Sequence, residues 1–249
     1  MKKSLIISLL LITVIQLNAQ NTAEKSSFGP RPDLAGDLTL SFGINLLNNN
    51  NVDALDLKAF GSNSFSIGYM YPITIGNSNF TFNGGLNYSF DKYAFSEDSA
   101  RTLVYYPSSA DGTPSRVDIE AIGTDIIGVG IVAKSKFETN YINIPLEFRY
   151  YFDKSKKSNG LFIAAGASIG YLVTGKTNIK YTDNEQSKKI KRKESFDLNQ
   201  FRFGSQIRVG ISGFGAFFQY DHSELFNPGK GPENTSATPV RFGLSINLF

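Results

Sequence analysis

His222 is the only histidine of the chain and stands in the run Asp221-His222-Ser223-Glu224. A histidine beside a hydroxyl and an acid has the parts for nucleophilic hydrolysis, in which the ring takes the proton of the attacking oxygen. The spacing argues against that chemistry. At the end of a β-strand, adjacent side chains point to opposite faces, so His222 and Ser223 cannot readily form a nucleophile–base pair. His222 also falls in the apolar phase of its strand. One histidine and no cysteine give no recognisable metal-ligand cluster. No catalytic residue, cofactor site or metal site is therefore expected. The basic run Lys188-Lys189-Ile190-Lys191-Arg192-Lys193 has the charge to hold lipopolysaccharide phosphates or an acidic partner. The plainer reading, a solvated loop, is preferred. The glycine-spaced stretch Gly123 to Gly130 follows no phosphate-binding pattern.

A different group of polar residues lies inside strand-like segments rather than at their ends. Glu147, Arg149, Arg202, Gln206, Arg208, Asp221 and Arg241 all fall on the polar phase. Together with Asn83 and Gln219 they can pair and hydrogen-bond in a shared interior. Such a cluster would be either a gate for ions or a solid polar plug. The plug is the expected state, because a small barrel leaves an interior that side chains fill.

The elements that would position these residues repeat with period two. Strands are predicted over Asp37–Leu47, Ser64–Tyr71, Phe80–Phe90 and Tyr141–Phe152. Four more are predicted over Leu161–Thr174, Leu198–Ser212, Ala216–Ser223 and Val240–Phe249. Leu38, Leu40, Phe42, Ile44 and Leu46 oppose Thr39, Ser41, Gly43 and Asn45 in the first. Phe242, Leu244, Ile246 and Leu248 oppose Arg241, Gly243, Ser245 and Asn247 in the last. The connections alternate long and short, as they do in outer-membrane barrels with long outside loops and short periplasmic turns. The fold expected is all-β: an antiparallel up-and-down transmembrane barrel of eight strands. Ten strands are the alternative if Thr102–Tyr106, Val117–Ile122 and Ile126–Ala133 add a pair instead of extending a hairpin above the membrane.

Alternation does not say which face points inward. The lysines of the chain after residue 36 cluster in connections and at strand ends, whereas a water-facing strand surface tolerates lysine freely. Gly43, Gly68, Gly85, Gly166, Gly170, Gly204, Gly210 and Gly243 share the polar face. Glycine weakens an exposed strand, but small residues suit a narrow lumen. The polar face is therefore predicted to be the crowded interior, and the aromatic and aliphatic face to meet lipid.

Bulk composition agrees. The 249 residues include 21 Phe, 12 Tyr and 23 Gly but no Trp. A net charge of +3 gives no argument for nucleic acid. Met1-Lys2-Lys3, the apolar stretch from Leu5 to Leu17 and the small residue Ala19 read as a secretory signal peptide. The organisation expected is a signal peptide over 1–19, a polar leader over 20–36 and the barrel over 37–249.

Tyr141-Ile142-Asn143-Ile144-Pro145-Leu146-Glu147-Phe148 resembles the Y-x-x-I-P-L strand of the PorT-type outer-membrane β-barrel proteins of Bacteroidota. The glycine-rich segment Gly160–Gly175 and the segment Phe201–Ser212 follow in that family's order, and Leu17-Asn18-Ala19-Gln20 fits its cleavage region. The resemblance covers most of the chain after residue 19. It implies an outer-membrane barrel and supplies no catalytic residues. Phe249 is the aromatic terminus expected of an assembly signal, although it stands one residue out of the apolar phase.

The function expected is that of a non-enzymatic outer-membrane barrel with a filled lumen, in a structural or accessory role in secretion or envelope assembly. Its partners would be outer-membrane lipid and the barrel-assembly machinery, with a protein or lipopolysaccharide at the outside loops. Two alternatives stand beside it: a soluble secreted or periplasmic barrel that binds an apolar ligand, and a barrel enzyme acting on lipid.

Overall fold

The computed structural model describes residues 36–48, 55, 57–95, 100–128, 130–157 and 160–248. The segments predicted as a signal peptide and a polar leader, up to residue 35, and Phe249 lie outside the described residues. Eleven strands run in order: β1 (Asp37–Asn48), β2 (Asn63–Thr74), β3 (Phe80–Ala94), β4 (Arg101–Tyr106), β5 (Arg116–Ala121) and β6 (Ile131–Tyr151), then β7 (Phe162–Asp183), β8 (Gln186–Glu194), β9 (Phe201–Ile211), β10 (Phe214–Asp221) and β11 (Thr238–Asn247). A single helical turn, Thr124–Ile127, precedes β6.

Eight of the strands close into a ring. Each barrel strand pairs antiparallel with its neighbour along the chain, and β11 pairs with β1 to shut the seam. The ten-strand alternative does not hold. β4 and β5 pair only with each other, and β8 pairs only with β7, so all three stand outside the ring.

Burial along the strands gives the sign that alternation could not. In β1, Thr39, Ser41 and Asn45 are buried, while Phe42 between them is 61% exposed. In β9 the alternation is strict: Phe201, Phe203, Ile207, Val209 and Ile211 face out, and Arg202, Gln206 and Arg208 face in. A water-soluble barrel would bury the apolar set. This inside-out arrangement is stable only where hydrocarbon surrounds the wall. No helix among the described residues is long and apolar enough to cross a membrane. An arginine on this wall is expected to be costly. Leu146 lies on the outward face of β6, midway between Ile142 and Tyr150. Leu146→Arg should destabilise the barrel by about 2–4 kcal/mol, measured by chemical unfolding in lipid vesicles. A change near zero would place Leu146 in water.

The strands that frame the long connections are longer than their apolar patterns predicted. β6 and β7 have 21 and 22 residues, where about 9–11 suffice to cross hydrocarbon. Their outer halves carry Lys134, Lys136, Lys176 and Lys180 and project beyond the apolar band. Lys188–Lys193, expected to be a solvated loop, is instead most of β8, joined to β7 through Asn184 and Glu185. Both turn residues have positive φ, 47° and 63°, as a two-residue type I′ hairpin requires. A register shift between Asn140 and Tyr141 leaves Val173 as an extra residue in β7. This bulge switches the inward phase of β7 from even to odd residues. At Pro145 the β3–β6 ladder is interrupted between Gly84 and Asn87, because proline has no N–H to donate.

Candidate functional site

Two clusters of charged and polar side chains lie inside the barrel at different heights. The inner level lies toward the short turns. Arg149 Nε donates to Glu147 Oε2 at 3.0 Å, and its Nη1 donates to Asp37 Oδ2 at 2.9 Å. Gln206 Nε2 donates to Glu147 Oε1 at 3.0 Å, and Arg208 Nε lies 3.3 Å from the same oxygen. Arg149 also stacks over the Phe162 ring at 5.1 Å. The outer level is built on Asp91. Arg202 Nη1 reaches Asp91 Oδ2 at 2.6 Å, Arg241 Nη1 reaches it at 3.0 Å, and Ser64 Oγ donates to Oδ1 at 2.6 Å. Arg241 Nη2 also donates to Asp221 Oδ1, which accepts from Gln219 Nε2 at 3.2 Å. Arg202 is held further by Asn143 Oδ1 at 2.9 Å and Ser89 Oγ at 2.7 Å, and it stacks on the Tyr141 ring at 3.9 Å.

Each level joins two carboxylates to two guanidinium groups, so each is neutral. Neutral, multiply hydrogen-bonded clusters are how buried charge is tolerated at low dielectric. The packing leaves no room for a larger side chain at Gly170, where a Cβ would stand 2.8 Å from Arg202 Cγ and 2.4 Å from Asn143 Oδ1. All seven polar residues predicted to share the interior line this lumen. Asn83 is buried there too, where it donates to Thr81 Oγ1.

Two acids of the network escaped the sequence reading. The apolar pattern ends at Phe90, which puts Asp91 just outside the predicted strand, and Asp37 is not among the residues predicted for the lumen. The signal was present in both cases. Asp91 continues the phase of Asn83, Asn87 and Ser89, and Asp37 that of Thr39, Ser41 and Gly43.

Above the outer level, the long connections fold into an apolar cap that the alternation of the strands did not announce. Phe137 of β6 is its centre, 5.6 Å from the Phe196 ring and 6.1 Å from the Tyr93 ring. Leu103 and Val117 enter from the β4–β5 hairpin, and Leu225 and Phe226 from the connection before β11. Backbone bonds tie these pieces together: Val117 N to Lys230 O at 3.3 Å, Asn227 N to Asp197 O at 2.7 Å and Asn199 N to Leu225 O at 3.0 Å.

His222 lies on the outward wall, as its phase required, and Ser223 faces inward. The hydroxyl that His222 does meet is that of Ser205 on the adjacent strand β9, at 2.8 Å from Nε2. Among the described residues no carboxylate hydrogen-bonds the other ring nitrogen. The backbone amide of His222 is already given to Phe203 O at 2.8 Å, which leaves it unable to stabilise an oxyanion. No group of three or more metal-ligating side chains occurs among the described residues.

A closed antiparallel ring with an apolar outer wall and buried polar residues inside is an integral outer-membrane β-barrel. The chain belongs to the outer membrane protein beta-barrel domain family, whose sequence model matches residues 18–226. No curated protein matches it. Among solved structures, it is similar to Ail, the attachment invasion locus protein of Yersinia pestis, at 10% identity and a TM-score of 0.36, over 85% of this chain and 97% of that one. It is also similar to a mutant porin of Rh. blastica, at 7% identity and a TM-score of 0.21, over 85% of this chain and 99% of that one. The assignment rests on the strand pairing and the family match.

Proposed function

We propose that this barrel is a sealed, non-conducting and non-enzymatic scaffold that works through its ordered outer cap, as an accessory of secretion or envelope assembly. The observation that carries this reading is closure at successive heights. Two neutral ion clusters fill the lumen, and an apolar core made by four separate connections covers its outer mouth. A channel needs a continuous polar path, whereas the charged side chains of this lumen are engaged in ion pairs with one another. A loop system that served only to join strands would not bury its own core. The resemblance of the Tyr141–Phe148 strand to the PorT-type proteins supports an accessory role in secretion, and a polar lumen inside an apolar wall suits delivery by the barrel-assembly machinery.

The test is electrical and genetic. The purified barrel, inserted into planar bilayers, is expected to give no current steps above the bare membrane; stable steps would overturn the sealed reading. The tip of the β4–β5 hairpin carries Arg116 over the Tyr106 ring at 4.6 Å, with Asp118 2.8 Å from Arg116 Nε. Tyr106→Ser with Arg116→Ser should leave assembly intact and impair export to the cell surface. Normal export in both this strain and a strain lacking the protein would remove the accessory role.

A further inference from the structure

The projecting sheet formed by β3, β6, β7 and β8 gathers lysines on its outward face. Lys134, Lys180 and Lys189 stand in one row across β6, β7 and β8. Two residues lower, Lys136 and Lys191 flank Asn178. Below them, Lys92 of β3, Glu138 of β6, Lys176 of β7 and Lys193 of β8 form a third row. The Val173 bulge makes this possible, since without the phase switch Lys176 and Lys180 would point into the barrel mouth. Glu138 is the one carboxylate in these rows, and it is occupied by Lys176 at 2.8 Å and Lys136 at 3.2 Å. Among the described residues the other lysines of the face have no ion-pair partner. Their crowding is felt. Lys189 is held below the ordinary lysine range by desolvation and by Lys191, Lys180 and Lys136.

The height of the face matters as much as its charge. On the same outward side, Phe90 stands two residues below Lys92, and Val173 three below Lys176. At about 3.3 Å per residue, the lowest lysine row begins roughly 7–10 Å above the last apolar side chains of the wall. That is where lipid headgroups surround the barrel.

We infer that this face is a binding site for the phosphate groups of anionic glycolipid in the surrounding outer leaflet. Lysine serves phosphate as a mobile point charge with three donors. Protein interfaces are instead depleted of lysine and enriched in arginine and aromatic anchors, and this face has neither. The inference rests on the reading that the protein works at its outer end, which the export measurement on the hairpin variant and the deletion strain tests separately.

The experiment uses the full-length protein in neutral detergent, incubated with bis-phosphorylated lipid A and examined by native mass spectrometry. Wild type should retain the lipid, and dephosphorylated lipid A should not be retained. The variant Lys180→Gln/Lys189→Gln/Lys191→Gln changes only exposed side chains, so a heat-shifted gel band should show normal folding. Its affinity should fall at least about tenfold, given about fivefold per lysine near an anionic surface. Lys154→Gln/Lys156→Gln, exposed at the opposite end, should bind as wild type. Undiminished retention by the triple variant, or an equal loss in the control, would overturn the site. Displacement of the lipid by equimolar pyrophosphate would assign the face to a soluble phosphate, and tighter binding of polyglutamate would assign it to an acidic protein; either would overturn the lipid assignment.

Discussion

Asp91→Ala is expected to cost about 3–5 kcal/mol of barrel stability, the range for removing one partner of a buried ion pair. Asp91 is 1% exposed and, among the described residues, is the only carboxylate that touches both Arg202 and Arg241 within 3.0 Å. Without it, Arg202 keeps Asp221 only at 3.9 Å, and the outer cluster carries two guanidinium groups against one acid. A surface carboxylate such as Asp118, paired with Arg116 at 2.8 Å but well exposed, should cost about 0–1 kcal/mol when replaced by alanine. Urea unfolding in lipid vesicles, followed by the heat-shifted gel band, measures both. The double variant Asp91→Ala/Arg241→Leu should recover part of the loss, because it restores neutrality. Equal stability of Asp91→Ala and Asp118→Ala would mean that the lumen is hydrated enough to solvate a lone arginine.

Gly243→Val should prevent closure of the barrel. Gly243 faces Gly43 across the β11–β1 seam. A Cβ there would lie 2.1 Å from the Phe42 carbonyl oxygen and 2.4 Å from Gly43 Cα. Both atoms are backbone, so the two strands would have to part. Overpacking a well-filled interior typically costs about 1–3 kcal/mol, and here it falls on the one pairing that shuts the ring. The expected result is loss of most of the heat-shifted species on refolding. Gly84→Ala is the matched control, since its Cβ would meet only Leu146 Cδ2 at 3.6 Å, and it should fold as wild type. A normal yield for Gly243→Val would show that the seam can widen without opening.

Period two made the barrel legible. The eight barrel strands stand where alternation put them, because a wall with lipid outside and packed polar groups inside imposes opposite chemistry on successive residues. Lysine and glycine placement gave the direction of the apolar face for the same reason: lysine avoids hydrocarbon, and a narrow lumen selects small side chains. The lumen residues followed from phase alone, and Asp91 and Asp37 were missed only because each lay at or beyond the edge of an apolar pattern. That pattern ends where lipid ends, whereas the strands continue for as long as hydrogen-bonded neighbours are available. β6, β7 and β8 therefore ran past every boundary that hydrophobicity could mark.

The ring, its inside-out polarity and the charges within could be read from the residues of each strand. Tertiary structure alone decided which arginine meets which acid, that His222 finds Ser205 and not Ser223, that four connections share one apolar core, and that a bulge at Val173 turns scattered lysines into a single face. The physical reason is range. Alternation is a local property that each strand carries in its own residues, but pairings across the lumen, between loops and across neighbouring strands depend on closure and register, which no single segment encodes.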